Sequence, residues 1–180
     1  MTLLLATVLA FGVSLGMMQR AVGLASPWMA LMVFLCFLGL AKVAEPLWML
    51  KLPKGLRPLR AWELQGRVYR RLAVPGFGAL LRDTPLRLLN TRVYVSRSSR
   101  DPLDVCRQVE SAEAIHFWGA LLLAPCIVAY AWIGRWAAVG GFLLLQVLGN
   151  AYPIMHLRWV RGRLERVGTR RAGLAAPTGD

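Results

Sequence analysis

Two short constellations carry the residue types that chemistry needs. The first is Glu113-Ala-Ile-His116, whose i,i+3 spacing puts both side chains on one face of a helix. A carboxylate beside an imidazole fixes its tautomer and stabilises the imidazolium, which suits a general base that takes a proton from a hydroxyl. The same pair also fits an interfacial salt bridge that eases entry of a helix into lipid. The second is Asn150-Ala-Tyr-Pro153-Ile-Met-His156-Leu-Arg158-Trp-Val-Arg161-Gly-Arg163. Asn150, Ile154, Arg158 and Arg161 recur at helical spacing and share a stripe. Pro153 has no N–H and leaves the Gly149 carbonyl without its helical donor. A polar residue such as Asn150 in an apolar segment is costly and usually functional. Guanidinium groups suit phosphates and carboxylates, although anchoring at a membrane surface accounts for Arg158, Arg161 and Arg163 as well. His156 points off the stripe, toward a structural hydrogen bond.

Other catalytic signatures are missing. The chain has no phosphate-binding loop, no G-x-S-x-G, no H-E-x-x-H and no dinucleotide fingerprint. Two histidines and three scattered cysteines (Cys36, Cys106 and Cys126) supply neither a metal site nor a disulfide framework. No metal and no cofactor are therefore expected, and a metal-dependent oxidase or hydrolase lacks its ligands.

The elements that must position these groups follow from composition. Of 180 residues, 57% are hydrophobic and 17% charged, yet the formal net charge is +13. A soluble domain is usually about 45–50% apolar and about 25% charged. Segregation reconciles oiliness with charge, with apolar blocks in lipid and basic blocks in water. Four apolar runs, about 1–18, 27–48, 117–133 and 136–157, are each close to the length of helix that spans a hydrocarbon core. Only Gln146, Asn150 and His156 interrupt the last with polarity. The fold class expected is all-α, an integral membrane bundle of four transmembrane helices within a single membrane domain, 1–180. Nineteen basic residues fall in the middle segment 51–116 and the tail 158–180, against Arg20 and Arg135 in the opposite connections. The positive-inside rule puts the middle segment and the C-terminus in the cytoplasm of a multi-pass protein of the inner cell membrane. Residues 1–25 also fit a cleaved signal peptide, with Gly23 and Ala25 as the small residues, but the n-region carries no Lys or Arg and Gln19-Arg20 interrupts the approach to the site. Topology accounts for the charge, so no nucleic-acid partner is expected.

Within the middle segment, Leu59, Trp62, Gly66 and Tyr69 form one stripe opposite Arg60, Glu63, Arg67, Arg70 and Arg71. That pattern predicts an amphipathic helix lying in the membrane interface. Pro75-Gly76 reads as a turn before a short apolar patch, and Arg92 to Ser99 as a loop. From Asp101-Pro102 an uninterrupted helix enters the third span near His116. The third and fourth spans then form an antiparallel hairpin around Gly134-Arg135. This brings His116, Asn150 and Arg158 together at the inner leaflet boundary.

Against this background the run 150–164 resembles the closing motif N-x-Y-P-I-M-x-Q-R-Y-N-R-x-R-L of the glycosyl-4,4'-diaponeurosporenoate acyltransferase family of carotenoid biosynthesis. Ala112-Glu113-Ala114-Ile115-His116 and the aromatic after it resemble that family's A-E-x-x-H-W. Glu63, Gly66 and Tyr69 resemble its E-x-x-G-x-x-Y. Leu157, Trp159 and Val160 depart from its Gln, Tyr and Asn. The resemblance implies a membrane enzyme that esterifies a sugar hydroxyl of a glycosylated carotenoid or related glycolipid with a long acyl chain. Acyl-CoA is the expected co-substrate, beside a lipid bilayer as partner. His116, Glu113 and Asn150 would be catalytic: His116 as base, Glu113 orienting it, Asn150 at the thioester oxyanion or the sugar. Arg158, Arg161, Glu63, Tyr69 and Pro153 would bind substrate, the arginines facing the donor's phosphates. A non-catalytic membrane scaffold in a pigment or lipid pathway is the alternative that the residues alone leave open.

Overall fold

The computed structural model describes residues 2–23, 26, 28–44, 51–84 and 102–175. Every regular element among them is helical. In chain order these are α1 (Thr2–Val22), α2 (Trp28–Ala44), a 3-10 turn (Lys54–Leu56), α3 (Ala61–Gln65), α4 (Arg67–Arg71) and α5 (Val74–Asp83). Then come α6 (Pro102–Trp132), α7 (Trp136–Gln146), a π-helical turn (Val147–Ala151) and α8 (Tyr152–Ala175). The chain divides into two compact units, Met1–Leu50 with Ile115–Ala151, and Lys51–Ala114 with Tyr152–Asp180.

The first unit has an apolar core and, among the described residues, many exposed apolar side chains. Its core joins Met29, Ala30 and Val33 of α2, Leu123 and Tyr130 of α6, and Ala138, Val139 and Phe142 of α7. Small residues let the helices approach: a Cβ on Gly141 would lie 3.4 Å from that of Ala30. Gly149 leaves no room for one at all, because the Phe34 ring occupies the space. Leu121, Leu122, Val128, Leu143, Leu144 and Leu148 are exposed. An outward surface of this kind is unfavourable in water and matches lipid. Trp132 and Trp136 flank the turn at Gly134, whose φ of +71° requires glycine. Exposed tryptophans at such a turn suit a headgroup boundary. Two helices, Val105–Trp132 and Trp136–Val167, are long and apolar enough to cross a bilayer. The other two expected spans are helical over Thr2–Val22 and Trp28–Ala44, and residues 45–48 lie outside the described residues.

The second unit corrects two local expectations. The single amphipathic helix is broken into α3 and α4 at Gly66, which takes a left-handed φ of +68° and donates its N–H to the Glu63 carbonyl at 3.0 Å. Periodicity runs through the glycine, but only glycine reaches this conformation without strain, so the chain turns there. Pro75-Gly76 sits in the first turn of α5 and starts a helix instead of making a turn. Proline lacks only an N–H that a first turn leaves unpaired anyway. The helix expected from Pro102 runs unbroken to Trp132. The expected loop 92–99 and cap at Asp101 lie outside the described residues. In the basic tail, α8 continues through Arg158 to Ala175.

A Cβ on Gly66 would meet only the Trp159 ring, at an ordinary 3.6 Å. Gly66→Ala is therefore expected to cost about 1–2 kcal/mol from backbone conformation alone. Gly55→Ala, with nothing within 4 Å, is expected to change little. Melting of the detergent-solubilised variants checks both.

Candidate functional site

In the second unit four charged side chains meet inside the protein. Glu63, Glu113 and Arg161 are 5%, 1% and 5% exposed. Glu63 is placed by local chemistry. As the third residue of α3, its Oε2 accepts the backbone N–H of Arg60 at 2.7 Å, one arm of a capping box. Its Oε1 accepts the hydroxyl of buried Tyr69 at 2.8 Å. Arg158 then binds the carboxylate with both edges, Nε to Oε1 at 2.5 Å and Nη2 to Oε2 at 2.9 Å.

The rest of Arg158 is equally engaged. Nη1 donates to Glu113 Oε1 at 2.6 Å and to the Leu56 carbonyl at 2.9 Å, and Nη2 donates to the Pro58 carbonyl at 3.3 Å. A guanidinium has five N–H donors, and all five here have acceptors inside the protein. Arg161 holds the other oxygen, Glu113 Oε2, at 2.9 Å, donates to the Arg57 carbonyl and lies 3.8 Å from Glu165. Segment 51–60 has two prolines and little regular structure, so its carbonyls need acceptable donors. The two arginines supply them at Leu56, Arg57 and Pro58. Arg57 in turn donates to the Leu52 carbonyl at 2.8 Å and lies 3.4 Å from Glu110.

Burial alone would raise the Glu63 pKa, but hydrogen bonds from Arg158, the Arg60 backbone and Tyr69 outweigh it and hold it at about 2. Burial and the adjacent carboxylate push the Tyr69 phenol up, so Tyr69 acts as a neutral donor.

The first unit contains a second polar group. His116, on α6, is hydrogen-bonded to the Asn150 side chain and the Gly149 backbone. The turn Val147–Ala151 is π-helical, and Pro153 offers no N–H to the Gly149 carbonyl. That carbonyl is therefore free to serve the imidazole. The amide nitrogen of buried Asn150 donates to Gln146 Oε1 at 2.6 Å, and Gln146 Nε2 donates to the Ala120 carbonyl of α6 at 2.7 Å. Asn150 Oδ1 lies on the α6 side, 3.5 Å from where a Cβ of Gly119 would stand.

These arrangements redistribute the expected roles. Glu113 gives each oxygen to a guanidinium, while the partners of His116 are an amide and a backbone carbonyl. Arg158 keeps no N–H for a donor phosphate. His156 is buried over Gly78, with no space there for a Cβ, and meets Phe77 edge-on. Leu157, where the family motif has Gln, is 2% exposed and serves as core. Among the described residues, no three His, Cys, Asp or Glu side chains gather as a metal would need. Gln146, Arg57 and Glu110 were not anticipated as members. For Gln146 the available signal is its i,i+4 spacing to Asn150 in an otherwise apolar helix.

The model of the glycosyl-4,4'-diaponeurosporenoate acyltransferase family matches residues 48–170. The chain belongs to that family, and both polar groups lie within the matched region. No curated protein and no solved structure matches it.

Because the Glu63 pKa is lowered on folding, its ionised form stabilises the fold fully above about pH 4.5. That contribution disappears as pH falls toward about 2. Glu63→Gln is expected to be less stable at neutral pH and to lose less on acidification across this window. Melting temperatures at stepped pH measure the difference.

Proposed function

We propose that this protein is a membrane acyltransferase that moves a long-chain acyl group from acyl-CoA to a sugar hydroxyl of a glycosylated carotenoid or related glycolipid. The family supplies the reaction class. The observation that carries the residue assignment is the hydrogen bonding of His116 to Asn150 and Gly149 beside an apolar helix surface. Those two contacts orient the imidazole, which as a neutral ring can take a proton from a hydroxyl.

In this reading His116 removes the sugar hydroxyl proton as the oxygen attacks the thioester carbon. The tetrahedral intermediate collapses, the C–O bond remains, the C–S bond breaks, and the imidazolium returns its proton to the leaving thiolate. Asn150 holds His116 in place instead of binding the oxyanion. Arg158, Arg161, Glu63, Glu113 and Tyr69 form the internal clamp of the second unit. Contacts to donor phosphates fall to the exposed arginines at 60, 67, 70 and 71. The enzyme crosses the inner membrane four times, with the middle segment and C-terminus in the cytoplasm, which gives a cytosolic acyl donor access to the basic side.

His116→Ala is expected to lower acyl-ester formation in isolated membranes by about 100-fold or more, with His156→Ala as the comparator that keeps the base. Mass spectrometry of the lipid product reads the result, and wild-type activity in His116→Ala would remove the assignment and favour the scaffold. The topology is checked by labelling single cysteines in intact cells with an impermeant maleimide. Arg135→Cys is expected to react and Arg163→Cys to stay protected until the membrane is opened.

A further inference from the structure

His116, Asn150 and Gln146 form a connected series within one unit, and only the first two have a role so far. A buried asparagine amide has two orientations related by a flip, one turning oxygen and the other nitrogen toward a neighbour. Its oxygen suits an imidazole that must become charged, and its nitrogen opposes that. Gln146 decides between them, because its Oε1 accepts from Asn150 Nδ2 at 2.6 Å. Asn150 Oδ1 is thereby turned to α6, 3.5 Å from where a Cβ of Gly119 would stand, one turn beyond His116. Gln146 is itself fixed by its bond to the Ala120 carbonyl at 2.7 Å, so its own amide is oriented too.

We propose that Gln146 is a positioning residue for the acyl transfer, setting the orientation of Asn150 and through it the basicity of His116. The inference rests on the reading of His116 as base. Among the described residues of this unit no charged side chain acts on the imidazole; its partners are the Asn150 and Gly149 groups. Glu113, one turn earlier on the same helix, has its oxygens on Arg158 and Arg161. The imidazole is therefore served by neutral dipoles, and a flip of the Asn150 amide would reverse one of them.

Kinetics in native membranes with acyl-CoA and a glycosylated lipid acceptor test this on His116→Ala, Gln146→Leu and Gln146→Glu. Gln146→Leu frees the Asn150 amide and is expected to lower kcat about tenfold with KM unchanged, the mark of a contact made for the transition state. In Gln146→Glu the carboxyl oxygen accepts from Asn150 Nδ2 whether the group is protonated or ionised, so the orienting bond survives. This variant is expected to retain most of the wild-type kcat. Wild-type kcat in Gln146→Leu, a change in KM alone, or loss of kcat in Gln146→Glu would overturn the inference. The Glu variant also decides the matter should the Leu variant fail to accumulate. Wild-type activity in His116→Ala would instead remove the underlying reading of the base, a different result from a silent Gln146 beside an essential His116.

Discussion

The second unit depends on one guanidinium whose donors are all taken. Arg158 joins the first turn of α3 through Glu63, the preceding irregular segment through the Leu56 and Pro58 carbonyls, and α6 through Glu113. A buried ion pair gains little over a well-packed apolar core, since removing two charges from water costs about what their attraction returns. Its value is geometric. A planar fork with five N–H groups specifies where its acceptors must lie, and three short helices with little apolar area of their own need such a fixture. Tyr69 and the Arg60 backbone fill the remaining positions on Glu63, so no oxygen of that carboxylate is left for a ligand.

The histidine lives by a different rule. It is served by neutral groups on an apolar helix pair, and each of those is free for a reason visible in the covalent structure. The Gly149 carbonyl lacks a helical donor because of Pro153, and Asn150 is held through its nitrogen by Gln146. Carboxylate and imidazole, neighbours at i,i+3, thus belong to different polar groups. The ionic group organises structure, and the neutral group holds the candidate base. The division suits a membrane enzyme, since a carboxylate in hydrocarbon needs full compensation while an amide needs only a partner.

Much of this was legible in the sequence, and the rest was hidden for definite reasons. The long helix from Pro102 follows from a run with no breaker before the third span, and it continues past Pro125 to Trp132; the freed Gly149 carbonyl follows from the single residue Pro153. Gly66 illustrates the limit of periodicity: the stripe of Leu59, Trp62, Gly66 and Tyr69 continues through a glycine that turns the chain. Arg158 was recognised as special, but its partners lie 95 and 45 residues away, and no local spacing reveals them. An arginine at the end of an apolar helix also satisfies membrane anchoring and phosphate binding equally well, so residue type could not separate these from an internal clamp.

The claim that Arg158 is a clamp and not a ligand for donor phosphate is tested most directly by a double-mutant cycle. Glu63→Gln, Arg158→Gln and the combined variant would be compared with wild type by equilibrium or thermal unfolding in detergent. Strongly non-additive losses are expected, with a coupling of about 2–3 kcal/mol as for residues within one network. Losses that add to within about 0.5 kcal/mol would contradict it, since Glu63 and Arg158 would then be independent.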